Sequence, residues 1–435
     1  MKRLRHTKIQ ATIGPASDSP IIIQKMVEAG VDGFRINFSH TNIEKAVDIL
    51  RNVRKASEKI EKPVTVRQDL QGPKIRIGEL DKKVHLTEGQ KYSLVLGHDI
   101  GNESFCFFEC KELYDALFPN DILLINDGQI KLKVTNKKNN ELFCRVEVGG
   151  ILSSRKGINV PGISLNLPAL TEKDKKDLEF AFEFGVDCIS LSFVKTAADV
   201  LQLKNFLKKH NKKLPIIAKI ELLQALKEID KIISTADGIS IARGDLGVES
   251  PMSAVPFLQE IITSKARKAN KFVMVGSEFL SSMRHSLRPS RADVTDVFYA
   301  VNTGTDVISL SDETTIGENP VACVKMLDQI IKESEKWLEL GSNNSLKSLL
   351  FSMEKSNFKK TIILSNSKNA VRYAKEFPYF TIILPYQDVE EVNFLSSYKS
   401  IFPVKSRDSN TDSLIEEAKR KGIIHDDFVV LKQIN

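Results

Sequence analysis

The hydrophobic pattern is clearest between residues 216 and 249, where it predicts a strand, a helix and a second strand. Residues 216–221 form an apolar, β-favouring run typical of a buried parallel strand. Apolar residues then recur at helical spacing over 223–233, and 238–242 is a second short apolar run. Glu221 and Asp245 therefore follow the C-terminal ends of two successive strands, the edge at which parallel α/β folds build active sites.

The same alternation of short apolar strands and amphipathic helices runs through most of the chain. Helical patterns lie between nearly all of the strands, as at 43–59, 172–184 and 255–270. The eight predicted strands are 8–13, 33–37, 64–69, 188–193, 216–221, 238–242, 272–277 and 306–310. Eight β/α units predict a closed (β/α)8 barrel, a TIM barrel, with its site at the C-terminal rim of the strands.

One segment interrupts this alternation after the third strand. Residues 73–159 lose helical periodicity, and 130–134 and 142–146 alternate polar and apolar residues with period two. Asn126-Asp127-Gly128 lies between two strand-like runs as a hairpin turn. The segment is predicted to be a small inserted β-barrel domain that forms a lid over the site.

The C-terminal part is predicted to be a separate, smaller α/β domain. A helix at 319–338 is followed by a polar linker at 341–345. Beyond the linker the pattern predicts strands at 361–364, 380–384 and 428–431 and helices near 369–376 and 413–421. The predicted domains are the barrel at 1–72 and 160–340, the inserted β domain at 73–159 and the C-terminal domain at 345–435.

Composition narrows the function classes. The chain has 435 residues, 42% hydrophobic and 27% charged, with a formal net charge of +7, which suits small anionic substrates. No dense basic tract with interleaved aromatics is present, so we expect no nucleic-acid partner. The five cysteines include no CxxC pair, which argues against a disulfide framework or a zinc site. With no apolar N-terminal core of a signal peptide and no apolar run of about 20 residues, we expect a cytoplasmic protein without membrane contact.

Charged and polar side chains collect just after the predicted barrel strands. Alternate residues of a strand share a face, so Lys219 and Glu221 are expected to point the same way. Fixed cations, hydroxyls and two carboxylates at one rim are what a phosphate-bearing, metal-bound substrate requires. These residues are Thr12, Arg35, Asn37, Ser39, His40, Asp69, Lys74, Arg76, Lys195, Lys219, Glu221, Asp245 and Ser277.

Each residue alone also has a structural explanation. Lys219 and Glu221 could form an ion pair at a strand end, and Asp245 could cap the following turn. Arg35 could belong to a structural ion pair, and His40 could hydrogen-bond to a loop backbone. The function is inferred from the joint pattern, because several charges at the ends of apolar strands are costly without a purpose.

The sequence resembles the pyruvate kinase family. The matching segments are collinear and cover residues 7 to about 325, and TIGPAS, NFSH and ARGDLG at these separations are highly specific. The segments are TKIQATIGPAS, FRINFSH, QDLQGPKIR, KGINVPG, LPALTEKDKKDLEF, AKIE, ARGDLGVE, RPSRADVTDV and NTGTDVISLSDET. The C-terminal domain resembles the family more weakly, through residues 398–404.

The resemblance implies a reaction, phosphoenolpyruvate and ADP to pyruvate and ATP, the last step of glycolysis. It implies that Lys219 stabilises the transition state and enolate, that Arg35 holds the phosphoryl group and that Ser277, a threonine in the family, lies on the proton path. It further implies that Glu221 and Asp245 hold Mg²⁺ or Mn²⁺, and that Gly244 with the Asp245 region grips the substrate carboxylate. Nucleotide-binding positions are Thr12, Asn37, His40, Arg76 and Lys195. Relatives are usually homotetramers.

One departure from the family concerns its potassium site. Many members have a glutamate where this chain has Lys74, and that glutamate accompanies a K⁺ ion. The K⁺ ligands match Asn37, Ser39, Asp69 and Leu70. A lysine ammonium carries the charge of K⁺, so Lys74 is interpreted as a tethered substitute that makes K⁺ unnecessary.

Other departures leave alternatives open. Leu222, Thr196, Glu278 and Asp312 replace an asparagine, a nucleotide-contacting lysine, a glutamine and a glycine of the family. They motivate a weakly active or regulatory paralogue as a second interpretation. A Mg²⁺-dependent lyase or aldolase acting on pyruvate enolate is a third. Residues 365–371 match the effector loop of relatives poorly, so no sugar-bisphosphate activation is predicted.

Overall fold

The computed structural model of the chain contains a closed barrel of eight parallel strands. It describes residues 4–340, 361–365, 367–376, 380–386, 392–405, 411–424 and 429–433. Barrel neighbours follow chain order, and the last strand pairs with the first through Lys8 and Val307. The predicted TIM-barrel fold class is therefore confirmed.

The barrel strands and the helices around them have the following bounds. The barrel strands are β1 Lys8–Thr12, β2 Gly33–Asn37, β3 Thr65–Asp69, β12 Cys188–Leu191, β13 Ile216–Ile220, β14 Gly238–Ala242, β15 Phe272–Gly276 and β16 Val307–Leu310. The α-helices of this part are α1 Pro20–Ala29, α2 Ile43–Ile60, α4 Glu172–Phe184, α5 Ala197–Lys209, α6 Ile229–Thr235, α7 Arg243–Glu249, α8 Val255–Lys268, α9 Arg291–Asn302, α10 Asp312–Thr315 and α11 Pro320–Leu340. All eight predicted strands are present, and their ends differ from the predictions by two residues at most.

The helix predicted over 223–233 is divided in two. Leu223–Glu228 is a 3₁₀ helix, and α6 begins only at Ile229. The apolar residues of this segment recur every third position from Leu223 to Ile232, which matches the three residues per turn of a 3₁₀ helix as well as one face of an α-helix. The pattern therefore located the helical segment correctly but could not separate the two helix types.

Residues 73–159, called the insert below, leave the barrel after β3. Their elements are β4 Val84–Leu86, β5 Lys91–Leu96, β6 Phe105–Phe108, α3 Lys111–Ala116, β7 Ile122–Ile125, β8 Ile130–Lys138, β9 Glu141–Val148, β10 Gly150–Leu152 and β11 Ile158–Asn159. They form a six-stranded sheet in the order β11-β7-β8-β9-β5-β6 and a separate pair, β10-β4. The predicted turn joins β7 to β8, and Asn126, Asp127 and Gly128 all have positive φ there.

The C-terminal segments form a parallel four-stranded sheet. Its elements are β17 Thr361–Leu364, α12 Ser367–Glu376, β18 Thr381–Tyr386, β19 Ile401–Lys405, α13 Thr411–Arg420 and β20 Val429–Gln433. The sheet packs under the barrel, where Lys8 Nζ donates to the carbonyl of Ile401 at 2.9 Å and the Thr65 hydroxyl donates to that of Asn393 at 2.6 Å. Because Lys8 and Thr65 begin their strands, this contact lies at the end of the barrel opposite the predicted site.

The predicted linker at 341–345 lies outside the described residues, as do Asn366, within the segment that matches the family's effector loop poorly, and Phe428 of the last predicted strand. Among the helices that the structure describes, none combines the length and the apolar character needed to cross a membrane.

Candidate active site

Lys219 and Glu221 form a buried ion pair where β13 ends. Their side chains share a face of the chain, as the strand periodicity predicts, and Lys219 Nζ lies 2.9 Å from Glu221 Oε1. Only 12% of the lysine side chain and 1% of the glutamate side chain are exposed. Burial alone would lower the pKa of Lys219, but the carboxylates of Asp69 and Glu221 outweigh it and raise that pKa. Lys219 is therefore a fixed cation.

Asp69 at the end of β3 joins this pair to Arg35 on β2. Its Oδ2 accepts from Arg35 Nε at 2.7 Å and lies 3.4 Å from Lys219 Nζ. Burial would raise the pKa of Asp69, but Arg35 and Lys219 hold it below its usual range. Asp69 Oδ1 is buried and has no hydrogen-bond partner within the described part of the chain. Asp69 thus connects two predicted catalytic cations.

Two residues that sequence reasoning missed support the pair from the end of β12. The Ser192 hydroxyl accepts from Lys219 Nζ at 2.8 Å and donates to the carbonyl of Leu70 at 2.7 Å. The backbone N–H of Phe193 donates to Glu221 Oε2 at 2.7 Å. Ser192 could have been found from the sequence, because it is a polar residue directly after the strand 188–191. A backbone N–H, such as that of Phe193, leaves no residue-specific signal in the sequence.

Lys74, at the entrance to the insert, reaches Asp245 in the first turn of α7, the helix that follows β14. Its Nζ lies 3.0 Å from Asp245 Oδ1 and 4.0 Å from Asp127 Oδ1 of the insert. No hydrogen bond or ion pair joins it to Asn37, Ser39 or Asp69 among the described residues. The Lys74 ammonium therefore forms an ion pair with Asp245, a predicted metal-binding residue, and does not contact the positions matched to the K⁺ site.

Gly244 and Ser277 lie together at the ends of β14 and β15. A Cβ on Gly244 would stand 3.4 Å from the Ser277 hydroxyl oxygen. Ser277 has φ +79° and the next residue, Glu278, has φ +55°, conformations that non-glycine residues rarely adopt. Such local strain is typical of functional sites. The geometry brings the serine hydroxyl to the backbone predicted to bind the substrate carboxylate.

Of the predicted nucleotide positions, Thr12 is hydrogen-bonded to this cluster, whereas Arg76 Nη1 donates to the carbonyl of Arg155 in the insert at 3.0 Å. The Thr12 hydroxyl accepts from Arg35 Nη1 at 3.3 Å. Asn37 Oδ1 accepts from the backbone N–H of Ser39 at 3.1 Å. Burial, with the positive charges of Arg76, Arg35 and Lys74, lowers the pKa of His40. These charges make this side of the rim attractive to anions.

Lys195 is placed differently from the other predicted nucleotide residues. Its ammonium donates to the carbonyls of Leu165, at 3.1 Å, and Leu167, on the chain that returns from the insert. Burial lowers its pKa. No hydrogen bond or ion pair links it to Arg76, His40 or the Lys219 pair within the described residues.

The four departures from the family have their own surroundings. Thr196 precedes α5, and its backbone N–H and hydroxyl both donate to Asp199 Oδ2, at 2.8 and 3.2 Å. Asp312 pairs with Arg284 at 3.4 Å. Glu278 is exposed, and Leu222 lines a cavity near the insert.

The two carboxylates suit a hard divalent cation. Glu221 and Asp245 are close enough that the negative charge of Asp245, after burial, helps to raise the pKa of Glu221. Mg²⁺ is usually held by one or two carboxylates together with water and substrate oxygens. The described residues contain no cluster of three or more His, Cys, Asp or Glu side chains arranged for a metal. The donor set therefore fits Mg²⁺ completed by substrate and water.

Comparison with known proteins gives a consistent result. Residues 4–324 match the family profile described as the pyruvate kinase barrel domain. The chain is 38% identical to the pyruvate kinase of Thermococcus litoralis over 446 aligned positions, which cover 98% of this chain and 94% of that protein. It is 39% identical to the enzyme of Thermotoga maritima and 42% identical to that of Methylorubrum extorquens, over 77% of this chain and 72% and 70% of those proteins.

Proposed function

Since the chain belongs to the pyruvate kinase family, we propose that it transfers the phosphoryl group of phosphoenolpyruvate to ADP, giving pyruvate and ATP. The observation that carries the proposal is the buried network of Arg35, Asp69, Lys219 and Glu221 at the C-terminal rim of the barrel. It holds two cations rigidly where an anionic substrate would bind. The chain is accordingly a phosphotransferase.

In the proposed reaction an oxygen of the ADP β-phosphate attacks phosphorus, and the bond from phosphorus to the enol oxygen breaks. Arg35 binds the transferring phosphoryl group, because its guanidinium is fixed by Asp69, the carboxylate that also faces Lys219. Lys219 neutralises the charge that develops on the phosphoryl and enol oxygens. Thr12, Asn37, His40 and Arg76 bind the nucleotide phosphates, together with Lys195 if its ammonium leaves the two carbonyls.

The enolate of pyruvate keeps the electron pair of the broken bond and then takes a proton on carbon. We assign Ser277 to the path of that proton, because its hydroxyl lies beside Gly244, where the substrate carboxylate would bind. Glu221 and Asp245 would hold Mg²⁺ or Mn²⁺. When bound, the ion stabilises negative charge on the substrate oxygens.

We further propose that catalysis does not require K⁺. Lys74 carries the charge that the ion would supply, and its ammonium is fixed at the rim by Asp245. It approaches from the side of Asp245 and not from Asn37, Ser39, Asp69 and Leu70. The proposal that Lys74 replaces K⁺ is therefore supported by the position of its ammonium at the rim, and not by contact with those four residues.

Both proposals are tested by pyruvate formation from phosphoenolpyruvate and ADP with Mg²⁺, in buffer whose only monovalent cation is a tetraalkylammonium. Robust turnover that K⁺ does not increase supports both. Turnover that appears only after K⁺ is added would keep the enzyme and refute the role of Lys74.

Inactivity with and without K⁺ would favour the regulatory paralogue that the departures suggested. No specific contact favours that alternative, since Thr196 and Asp312 are engaged in a helix cap and an ion pair away from Lys219. Pyruvate-enolate cleavage without nucleotide would favour the lyase or aldolase.

The assembly and the domain division are proposals as well. Exposed apolar side chains collect on and around α8 and α9, which a homotetramer could cover: Met252, Phe257, Ile261, Leu287 and Phe298. Light scattering after size exclusion would measure the mass, and Phe257→Asp should lower it if this surface is an interface. We propose domains at 1–72 with 160–340, 73–159 and 345–435, and a cytoplasmic location.

A further inference from the structure

A cavity of about 350 Å³ lies beside the proposed active site. Its walls come from residues 73–75, where the chain enters the insert, and from 158–167, where it returns. The barrel side is formed by Phe193 with Lys195 and by residues 222–227. Lys219, Glu221 and Asp245 do not line it. The cavity therefore lies between the two connections of the insert and the barrel.

The lining combines apolar walls with an excess of positive charge. Its apolar part comes from side chains on all the segments, among them Ile75, Ile163, Leu165, Phe193 and Leu223. Three lysines and a single acidic residue line the cavity.

The three lysines differ in whether another group of the protein already occupies their ammonium. Lys74 is paired with Asp245, and Lys195 donates to two carbonyls. Lys227 is exposed and makes no hydrogen bond or ion pair with any residue that the structure describes. The acidic residue, Glu249, accepts from Asn159 at 2.9 Å, and burial raises its pKa. An anionic group would therefore bind at Lys227.

We propose that this cavity binds a small molecule with a flat apolar body and one carboxylate, and that binding restrains the insert. The volume is at the lower end for ligand pockets and corresponds to roughly a dozen water-sized groups. A bicyclic aromatic acid has about that size. The carboxylate would meet Lys227 at the opening while the rings contact the apolar walls.

A ligand in this cavity would restrain the insert, because the cavity walls include both of the segments that connect the insert to the barrel. The returning chain is held to the barrel by Lys195 on Leu165 and Leu167, and by the Ser164 hydroxyl, which donates to Gln224 Oε1 at 3.1 Å. A ligand wedged between this chain and residues 73–75 would contact both connections of the insert at once. Movement of the insert during turnover would then require the ligand to leave or shift, which lowers the rate.

Binding is tested with naphthoate by calorimetric titration of the full chain, without substrate or nucleotide. We expect a Kd of about 1 mM or tighter for a ligand of this size. The neutral naphthalene carboxamide should bind about tenfold more weakly, as should naphthoate to Lys227→Glu. Lys208→Glu, the same charge change on an exposed residue outside the cavity, should leave the Kd unchanged. Leu223→Trp fills the cavity and should abolish binding.

The effect on turnover rests on the proposed function, whereas the binding measurement does not. Saturating naphthoate should lower kcat of the wild-type chain and leave Leu223→Trp unaffected. Absence of binding, equal binding to Leu223→Trp, or displacement of naphthoate by phosphoenolpyruvate would overturn the proposal. If the chain has no pyruvate kinase activity, the titration still decides whether the cavity binds the probe.

Discussion

Lys74 Nζ lies 3.0 Å from Asp245 Oδ1, so a residue at the start of the insert is tied to a proposed metal-binding carboxylate in the first turn of α7. Asp127 of the insert lies 4.0 Å from the same ammonium. One lysine thus contacts carboxylates from two different parts of the fold, and its single positive charge offsets only part of their combined negative charge. The charge at the proposed metal site therefore depends on where the insert places Lys74.

Replacing Lys74 by glutamate should make the enzyme dependent on K⁺. Three carboxylates would then face one another without the lysine ammonium between them, and a bound K⁺ would relieve the repulsion. We expect kcat/KM without K⁺ to fall by at least about tenfold, which corresponds to about 1.4 kcal/mol, and to recover in part when K⁺ is added. The measurement is a K⁺ titration of initial rates at constant ionic strength.

The matched control for that experiment is Lys91→Glu, which makes the same charge change at an exposed position on β5. It should respond to K⁺ as the wild-type chain does. If Lys74→Glu loses activity and K⁺ has no effect at any concentration, the idea that Lys74 replaces the ion is wrong.

Lys219→Met should remove most of the activity. The methionine keeps much of the shape and loses the cation that would face the developing negative charge, a loss of about 10²–10³-fold in kcat. Lys208→Met should have no effect, since Lys208 is an exposed residue in the last turn of α5, away from the helix end that follows β12. Because Asp69 and Glu221 lose a partner, thermal unfolding should be recorded in parallel, and Lys219→Arg tests whether charge alone suffices.

A retained kcat in folded Lys219→Met would contradict the proposed role. If Lys219→Met does not fold, the role is tested with Lys219→Arg instead, which keeps the positive charge but changes its position relative to Glu221. Strongly reduced turnover in that variant supports a role for the exact placement of the ammonium.

The eight strands and the pairing of Lys219 with Glu221 could be predicted because both depend on local periodicity. Period-two alternation within a strand is enough to place these two side chains on one face. The connection of Asp69 to Arg35 and Lys219 could not be predicted in this way, because it depends on how three separate strands are aligned in the closed barrel.

Lys195 shows the opposite case. The resemblance to the family, and not a local pattern, predicted its nucleotide contact, and in the structure its ammonium donates to two backbone carbonyls of the returning chain. Backbone acceptors on a distant loop carry no residue-specific signal, so sequence alone could not reveal this competition. The cavity at the connections of the insert could not be predicted either, since five separate segments of the chain form it.

Mg²⁺ binding should strengthen as the pH rises. Burial raises the pKa of Glu221, Lys219 opposes that rise and Asp245 adds to it, so the carboxyl keeps a proton to a higher pH than an ordinary glutamate. Metal binding requires the ionised form, and each ion bound releases up to one proton until the pH exceeds that pKa. Titrations with Mn²⁺ followed by electron paramagnetic resonance at several pH values would measure this dependence.

Glu221→Gln provides the comparison for the metal titration. It should bind the ion more weakly and lose the pH dependence, because the titrating carboxyl is gone. The same slope in wild type and Glu221→Gln would assign the proton to another group and reject this explanation.

His40 should titrate below the ordinary histidine value of about 6.5. Burial lowers its pKa, and the positive charges of Arg76, Arg35 and Lys74 lower it further. The imidazole is therefore neutral at pH 7, and any contribution that needs the neutral ring is lost only as the pH falls through the lowered pKa. Proton NMR of the ring C–H would follow the titration, and disappearance of one of seven signals in His40→Gln would assign it.

Arg76→Gln should raise the pKa of His40 toward the ordinary value, because it removes the largest of the three charge effects. Lys83→Gln changes one exposed charge elsewhere in the insert and should leave the pKa as it is. If His40 titrates at or above the ordinary value in the wild-type chain, the cations are not gathered around it. The proposed nucleotide-phosphate side of the rim would then lose its electrostatic basis, whereas the Lys219 and Glu221 pair would be unaffected.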